Sequence, residues 1–415
     1  MPEPTALPDV RMRGFAQRAE VPTALTWIDA HSPLLPGESA DLNDATGRVL
    51  AQAVIAPIAV PEFDRAAMDG YAVRGGDTTG AGEYNPLEFP IAGHAWPGRP
   101  FEGTVPANAA LRIMTGAPVP LGLDAVVPAE YASEQDGLLT ITRAVAPGRH
   151  VGRVGEDIAR GSTVLAAGRR LRPQDAGLVA SLGLAQVNVV RQPRVRLLVT
   201  GNEVRPPGAP KGPYDIYDAN SMTLRGLVAR DGGVIESHQR LGDDPQSIKQ
   251  ALAAPGADVV LISGGSSVGA EDHAPRLLAE LGELAIHGIA MRPSSPAGMG
   301  RIGGALVFLL PGNPVSCLCA YDFFAGRAIR RLGGRPADWP YRTRQATVAR
   351  KIVSQVGRVD YVRVTLGDEG VEPLALSGAS MLSTTTRADG FVVAPAESEG
   401  FGAGAQVTVH LYDSP

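Results

Sequence analysis

ADVVLISGGSSVG, residues 257–269, is the stretch whose reading decides the fold. Residues 257–262 form a short apolar run rich in aliphatic and β-branched side chains, which reads as a strand buried on both faces. The run passes straight into a polar, glycine-rich loop, Ser263-Gly264-Gly265-Ser266-Ser267-Val268-Gly269. Two further stretches repeat the design. Residues 195–199 (VRLLV) lead into Thr200-Gly201-Asn202-Glu203, and residues 305–310 (ALVFLL) lead into Pro311-Gly312-Asn313-Pro314. Helical patterns lie between and after them, over 219–230 (ending at Gly232-Gly233), 245–253, 272–281 and, as one long helix, 315–331. Continuous apolar strands alternating with helices predict a parallel sheet covered on both faces across 190–335.

In open α/β sheets ligands bind beyond the carboxyl ends of the strands, where all three loops fall. Glycine lets backbone N–H groups approach a ligand, and helices opening at Asp272 and Val315 would turn positive ends toward it. Such an edge suits an anion, most simply a phosphate. Each glycine alone is equally an ordinary turn; three such loops on one edge favour the ligand. Carboxylates gather at the same edge: Glu203, Asp243-Asp244 of GDDP, and Asp272. Acidic groups beside a phosphate would repel it unless a divalent cation lay between, so a Mg²⁺–phosphate site with Asp243 and Asp272 as metal ligands is expected. The plainer reading makes Asp243-Asp244 an N-cap and Asp272 a helix-start residue.

Outward from this segment the pattern changes. Residues 1–20 are proline-rich and read as a mobile lead-in. Residues 21–54 and 149–189 are mixed, similar in type, and bracket a β-rich stretch at 55–148, which suggests a β module inserted into a discontinuous α/β domain. GEDIARGSTVLAAG (155–168) reads as a β-turn-β unit, and a helix opens at Pro173. The tail, 340–415, holds five candidate strands with period-2 alternation, suggesting a small β-barrel or sandwich. The fold class expected is multidomain α/β. The 50 glycines and 35 prolines fit many short connections.

Composition excludes several classes. A net charge of −5 argues against non-specific nucleic-acid binding, and no apolar run reaches the ~18–20 residues of a membrane helix. Cys317 and Cys319, the only cysteines, diverge on a helix, so neither a disulfide scaffold nor a cysteine zinc site is expected. A reducing cytoplasm is the expected compartment. No P-loop and no H-E-x-x-H occurs. Gly265-Ser266-Ser267-Val268-Gly269 matches the nucleophile elbow of serine hydrolases. His273 and His287, however, follow too soon for the sheet to supply an acid before them. Of the basic residues only Lys211, Lys249 and Lys351 are lysines; the rest are arginines.

Eight motifs then fall in one order over nearly the whole chain: PEFDRAAMDGYAVR (61–74), LRIMTGAPVP (111–120), GRHVGRVGEDI (148–158), TGNEV (200–204), IYDAN (216–220), LGDDP (241–245), SGGSSVG (263–269) and LPGNPVS (310–316). Together they resemble the molybdopterin molybdenumtransferase (MoeA) family, related to gephyrin and the plant Cnx catalytic domains. The resemblance implies a homodimer of four-domain subunits: a parallel α/β domain shared with the adenylyltransferases, an inserted β module, a mixed domain and a C-terminal β-barrel. It implies insertion of molybdenum from molybdate into adenylylated molybdopterin with release of AMP and a need for Mg²⁺. By motif it implies acidic site residues Glu203, Asp243 and Asp272, and functional Asp69 and Thr115 reaching the other subunit's site. Asp69, in MDG, is also good turn chemistry. The ligand loops implied are Gly264, Gly265, Ser266, Ser267 and Gly269, then Gly312 and Asn313. A molybdopterin adenylyltransferase is an implied partner; nucleic acid and membrane are not.

The chain departs from the family pattern at the oxyanion pocket. K-P-G-K-P, common in the family, is here Arg292-Pro293-Ser294-Ser295-Pro296, and a lysine often found four residues earlier is Gly288. Arg292 keeps a bidentate donor fork; Ser295 and Pro296 bring no charge. Ser316, Arg363 and Ser380 are the remaining implied oxyanion contacts. Two other readings stand beside the transferase: a scaffold of the gephyrin type, and the adenylyltransferase step itself, against which the chain's length argues.

Overall fold

The computed structural model describes residues 15, 17–266, 269, 272–374 and 380–412. They fall into two units. The first holds the described residues up to Glu38, Gly47–Ala51, and those from Val189 on; the second holds Ser39–Thr46 and Gln52–Asn188. Among the described residues no helix is long and apolar enough to cross a membrane.

The first unit is built on a six-stranded sheet. Its order from edge to edge is Val234–Leu241, Arg194–Thr200, Val259–Ser263, Ala305–Leu310, Gly298–Ile302, Glu283–His287. The first four strands are parallel, with Val195, Val259 and Leu306 in one register row. Successive side chains on a strand face opposite ways. Leu197, Leu261 and Phe308 therefore enter one core, under helices Asn220–Asp231 and Pro314–Ala320, while Leu198, Ile262 and Leu309 enter another, under Pro245–Ala253 and Ala274–Leu281. Burial on both faces is why these strands are continuous apolar runs.

Three expectations need correction here. The sheet is mixed, because Glu283–His287 and Gly298–Ile302 form an antiparallel pair at one edge. The helix expected to open at Asp272 begins at Ala274. The long helix over 315–331 is three consecutive pieces: Pro314–Ala320, a π-turn at Tyr321–Ala325, and Gly326–Leu332. The π-turn carries both Tyr321 and Asp322 inside.

The tail forms a second sheet in this unit, ordered Met291–Arg292, Val359–Gly367, Gly390–Ala394, Gln406–Leu411, Arg342–Thr347, with Gly370–Pro373 also on Val359–Gly367. Ile352–Val353 pairs separately with Gly400–Phe401. Among the described residues that makes seven tail strands where five were expected. The larger sheet takes its sixth strand, Met291–Arg292, from the α/β segment. The described part of the lead-in is engaged as well: Ala19 N–H donates to the Gly288 carbonyl at 3.0 Å, and Ala290 N–H to the Ala19 carbonyl at 2.8 Å.

In the second unit a six-stranded sheet runs Ala125–Pro128, Gly70–Val73, Ala110–Ile113, Leu87–Ala95, Leu138–Ile141, Ala132–Gln135. Val54–Ile55 pairs with Thr163–Leu165, and Val60 bridges Ile158. The expected β-turn-β unit at 155–168 is thus two segments that each pair back onto 54–60. The grouping of 21–54 with 149–189 also changes at its start. Helix Val21–His31 belongs to the first unit: Ile28 sits in the core with Phe324, and Asp29 pairs with Arg327 at 2.7 Å.

Candidate active site

The loop joining the two antiparallel edge strands, residues 288–297, leaves the α/β sheet to become an edge of the tail sheet. Met291 and Arg292 lie parallel to Val359 and Asp360, residue for residue. This crossing opens a cleft of about 750 Å³ whose walls include Arg292, Ser295, Pro296, Asn313, Ser316 and Arg363. Six of the expected ligand residues therefore meet in one place, although up to 71 positions separate them in the chain.

The electrostatics of the cleft are unequal. Asp360, 1% exposed, is the carboxylate between two arginines: Arg292 Nη2 donates to its Oδ2 at 2.7 Å and Arg358 Nε to its Oδ1 at 3.0 Å. Arg363 is 4% exposed, and its buried Nε has no hydrogen-bond partner among the described residues. Two guanidiniums thus share one carboxylate, and a third, Arg363, lines the same cleft. A buried, unpartnered guanidinium is costly unless an anion completes it. Ser294, at φ +95°, donates its hydroxyl to the Ser316 carbonyl at 2.6 Å and fixes the loop against the first turn after Asn313. Phe15 and Arg18 also reach the cleft.

Arg358 and Asp360 were not among the expected site residues, although both stand beside Arg363 in GRVDYVR (357–363). The available signal was the R-x-D spacing, which puts both side chains on one face of a strand.

The loop after Val259–Ser263 answers a packing demand as well as any ligand. Gly264 (φ +92°) and Gly265 (φ +58°) lie over Thr200; a Cβ on Gly264 would come within 2.5 Å of the Thr200 carbonyl oxygen. Ser266 commits its hydroxyl to the Leu310 carbonyl at 3.0 Å, so it offers a ligand no free donor from that group. Ser267 lies outside the described residues. The Gly312 carbonyl accepts from Asn220 Nδ2 at 2.8 Å, which also donates to Ser263 Oγ at 2.8 Å. Ser380 is exposed and is absent from the described wall of the cleft.

The acidic residues have separate duties. Asp244 is the N-cap of Pro245–Ala253, accepting from Ser247 N–H at 2.9 Å. Asp243 instead locks two loops together: its Oδ2 accepts from Asn202 N–H at 2.9 Å, while Asn202 Oδ1 accepts from Asp243 N–H at 3.2 Å. Asp272 Oδ2 accepts from Gly269 N–H at 2.6 Å. Glu203 is exposed at its turn. Among the described residues no three acidic, histidine or cysteine side chains form a ready metal cage. His287 Nε2 donates to the Ser266 carbonyl at this edge, 3.0 Å away, and burial lowers its pKa. Burial pushes the Cys317 thiol up to about 12, which leaves it a packing group.

In the second unit, Asp69 and Thr115 are brought together. Asp69 Oδ1 accepts from Thr115 N–H at 2.7 Å and from its hydroxyl at 2.8 Å. The backbone bond first, then the hydroxyl, lowers the carboxyl pKa, so an exposed carboxylate is held ionised.

Comparison with known proteins matches this arrangement along the chain. Three family models fit: the MoeA N-terminal region (domain I and II) over residues 19–183, a probable molybdopterin binding domain over 196–331, and the MoeA C-terminal region (domain IV) over 345–412. Molybdopterin molybdenumtransferase 2 of Mycobacterium tuberculosis is 36% identical, over 89% of this chain and 93% of its own. The molybdopterin molybdenumtransferase of Haemophilus influenzae is 34% identical, over 91% and 94%. A solved structure of the molybdopterin biosynthesis MoeA protein from Pyrococcus horikoshii superposes with a TM-score of 0.83 at 32% identity, covering 96% of this chain and all of that one. With its three consecutive regions accounted for and such relatives spanning nearly its whole length, the chain belongs to the molybdopterin molybdenumtransferase family of molybdenum cofactor biosynthesis.

Proposed function

We propose that the chain transfers molybdenum from molybdate to adenylylated molybdopterin, releasing AMP. The observation that carries this is the charge of the cleft: Arg292, Arg358 and Arg363 against the single carboxylate of Asp360, with a buried guanidinium nitrogen left without a partner. A tetrahedral dianion supplies the acceptors such donors lack, and arginine forks bind oxyanions in two-point fashion. The Ser316 and Ser295 positions on the same wall give the pocket its small, polar lining.

Phosphate groups of the second substrate suit the neighbouring edge. Each of Asp243 and Asp272 gives one oxygen to a backbone N–H, and among the described residues the other oxygen has no hydrogen-bond partner. Mg²⁺ is commonly held by one or two carboxylates plus substrate phosphates, not by a complete protein cage, so these two residues fit it as ligands. When bound, the ion would offset phosphate charge beside the acidic loops. Asp69, kept ionised by Thr115, belongs to this reaction as a residue offered to the site of the other subunit in a homodimer. The reaction belongs to a reducing cytoplasm, downstream of an adenylyltransferase that supplies the substrate.

Protein given adenylylated molybdopterin and Mg²⁺ is expected to release AMP only when molybdate is added. AMP release indifferent to molybdate, or none with all three present, would overturn the reading. Binding without turnover would indicate a scaffold, which the transferase names of the relatives do not favour.

A further inference from the structure

The geometry points to Asp360 as a positioning residue: its buried carboxylate gathers Arg292 and Arg358 into one fixed donor surface for the oxyanion. The identity of that oxyanion as molybdate rests on the transferase reading; the clamp itself rests on the following contacts.

Arg292 and Asp360 lie 68 positions apart and are partners in parallel register, so their backbones are held side by side. The two oxygens of Asp360 are divided between the two arginines, Oδ2 to Arg292 and Oδ1 to Arg358. The carboxylate is inaccessible, whereas the side chains it holds are 38% and 28% exposed. Without that anchor, two like charges at the mouth of a cleft would repel each other and turn to solvent. Each guanidinium has five N–H donors, and the contacts with Asp360 use one from each, leaving the remainder for a ligand. Long side chains immobilised before binding lose less freedom when the ligand arrives. A carboxylate near an anion also repels it. Here two guanidiniums surround the one negative charge and Arg363 adds a third, so the local field stays positive and ordering outweighs repulsion.

Equilibrium dialysis of the full chain against molybdate tests the sign. Asp360→Asn keeps the shape and removes the charge; molybdate affinity is expected to fall about tenfold, the scale of one or two side chains released from order. Unchanged or tighter binding would overturn the proposal, since Asp360 would then be only a repelling neighbour. In an Arg292→Ala/Arg358→Ala background the same change is expected to add nothing; a remaining tenfold loss would show that Asp360 does not act through these arginines. If Asp360→Asn does not fold, Asp360→Glu keeps the charge but displaces both forks. Affinity must again fall, and an unaltered value overturns the clamp.

The two readings fail separately. Wild-type protein that binds molybdate and loses that affinity on Asp360→Asn, yet releases no AMP, removes the transferase reading and leaves the clamp. Molybdate-dependent AMP release with affinity unmoved in the Asp360 variants removes the clamp and leaves the transferase. No molybdate binding by the wild type removes the transferase reading; the clamp is then judged by dialysis against sulfate, and an affinity unmoved by Asp360→Asn, or no sulfate binding at all, overturns it.

Discussion

Two arginine–aspartate clusters occupy the first unit, about as different as the same residue types permit. One is closed. Arg230 donates to Asp231 and to Asp322, each at 2.9 Å, Arg330 lies 3.1 Å from Asp231, and the Tyr341 hydroxyl donates to Asp322 at 2.9 Å. Both aspartates are fully buried, and two arginines face two carboxylates. Burial alone would lower the Arg230 pKa, but Asp322 and Asp231 beside it raise it, so it stays charged. The other cluster is the cleft, with three arginines to one carboxylate. An unanswered guanidinium nitrogen does not separate the two, because Arg330 Nε in the closed cluster lacks a hydrogen-bond partner among the described residues just as Arg363 Nε does. Balance marks the cluster that joins helix Asn220–Asp231, the π-turn and the tail. Imbalance marks the one that awaits a ligand.

The largest expected effect comes from unbalancing the closed cluster. Asp322→Ala leaves Arg230 without one of its buried partners, and urea unfolding should show a loss of about 3–5 kcal/mol, the usual consequence of breaking a buried pair from one side. A loss near zero would mean that water enters the cluster and the comparison fails. Arg363→Ala should do the reverse in the cleft. Removing a guanidinium without a described partner should leave stability unchanged or raise it, while molybdate-dependent AMP release falls about 10–100-fold, the range of a charge-assisted hydrogen bond. A drop in stability without a drop in rate would place Arg363 with the structural cluster instead.

The smallest effect concerns pH. His287, bonded to the Ser266 carbonyl, has its folded-state pKa lowered by burial, so protonation favours the unfolded chain. Its contribution to stability is present above the ordinary histidine value of about 6.5 and is lost as pH falls below it toward the folded value. His287→Gln should flatten the thermal stability profile over that acid limb. An unchanged profile would assign the acid sensitivity to other groups, such as the similarly lowered His238 and His410.

What the sequence made legible follows from the same physics. Val259–Ser263 and Ala305–Leu310 announce themselves because both faces are buried, and their glycine-rich ends because backbone must turn there. Gly298–Ile302 does not announce itself: it reads GMGRI, and its glycines answer a neighbour far away in sequence. A Cβ on Gly300 would lie 1.8 Å from the Glu283 carbonyl oxygen, so close strand approach requires glycine at the expense of any strand signal. The same holds in the cleft. Arg292, Ser316 and Arg363 were each recognisable by motif, but that Arg292 shares a carboxylate with Arg358 depends on a strand pairing across 68 positions that no local pattern records. The hydroxyl bond of Ser266 was illegible for a related reason, since its partner, Leu310, is 44 positions away.

The short strand Met291–Arg292 makes the C-terminal region hard to exchange. Because an edge of the tail sheet is drawn from a loop of the α/β sheet, a chimera cut near residue 340 would divide one sheet between two parents. Arg292 would then face whatever residue the donor carried opposite it. For a breeder of hybrid enzymes the natural unit of inheritance is therefore the tail together with residues 288–297, and the segment around Ala19 that lies along them.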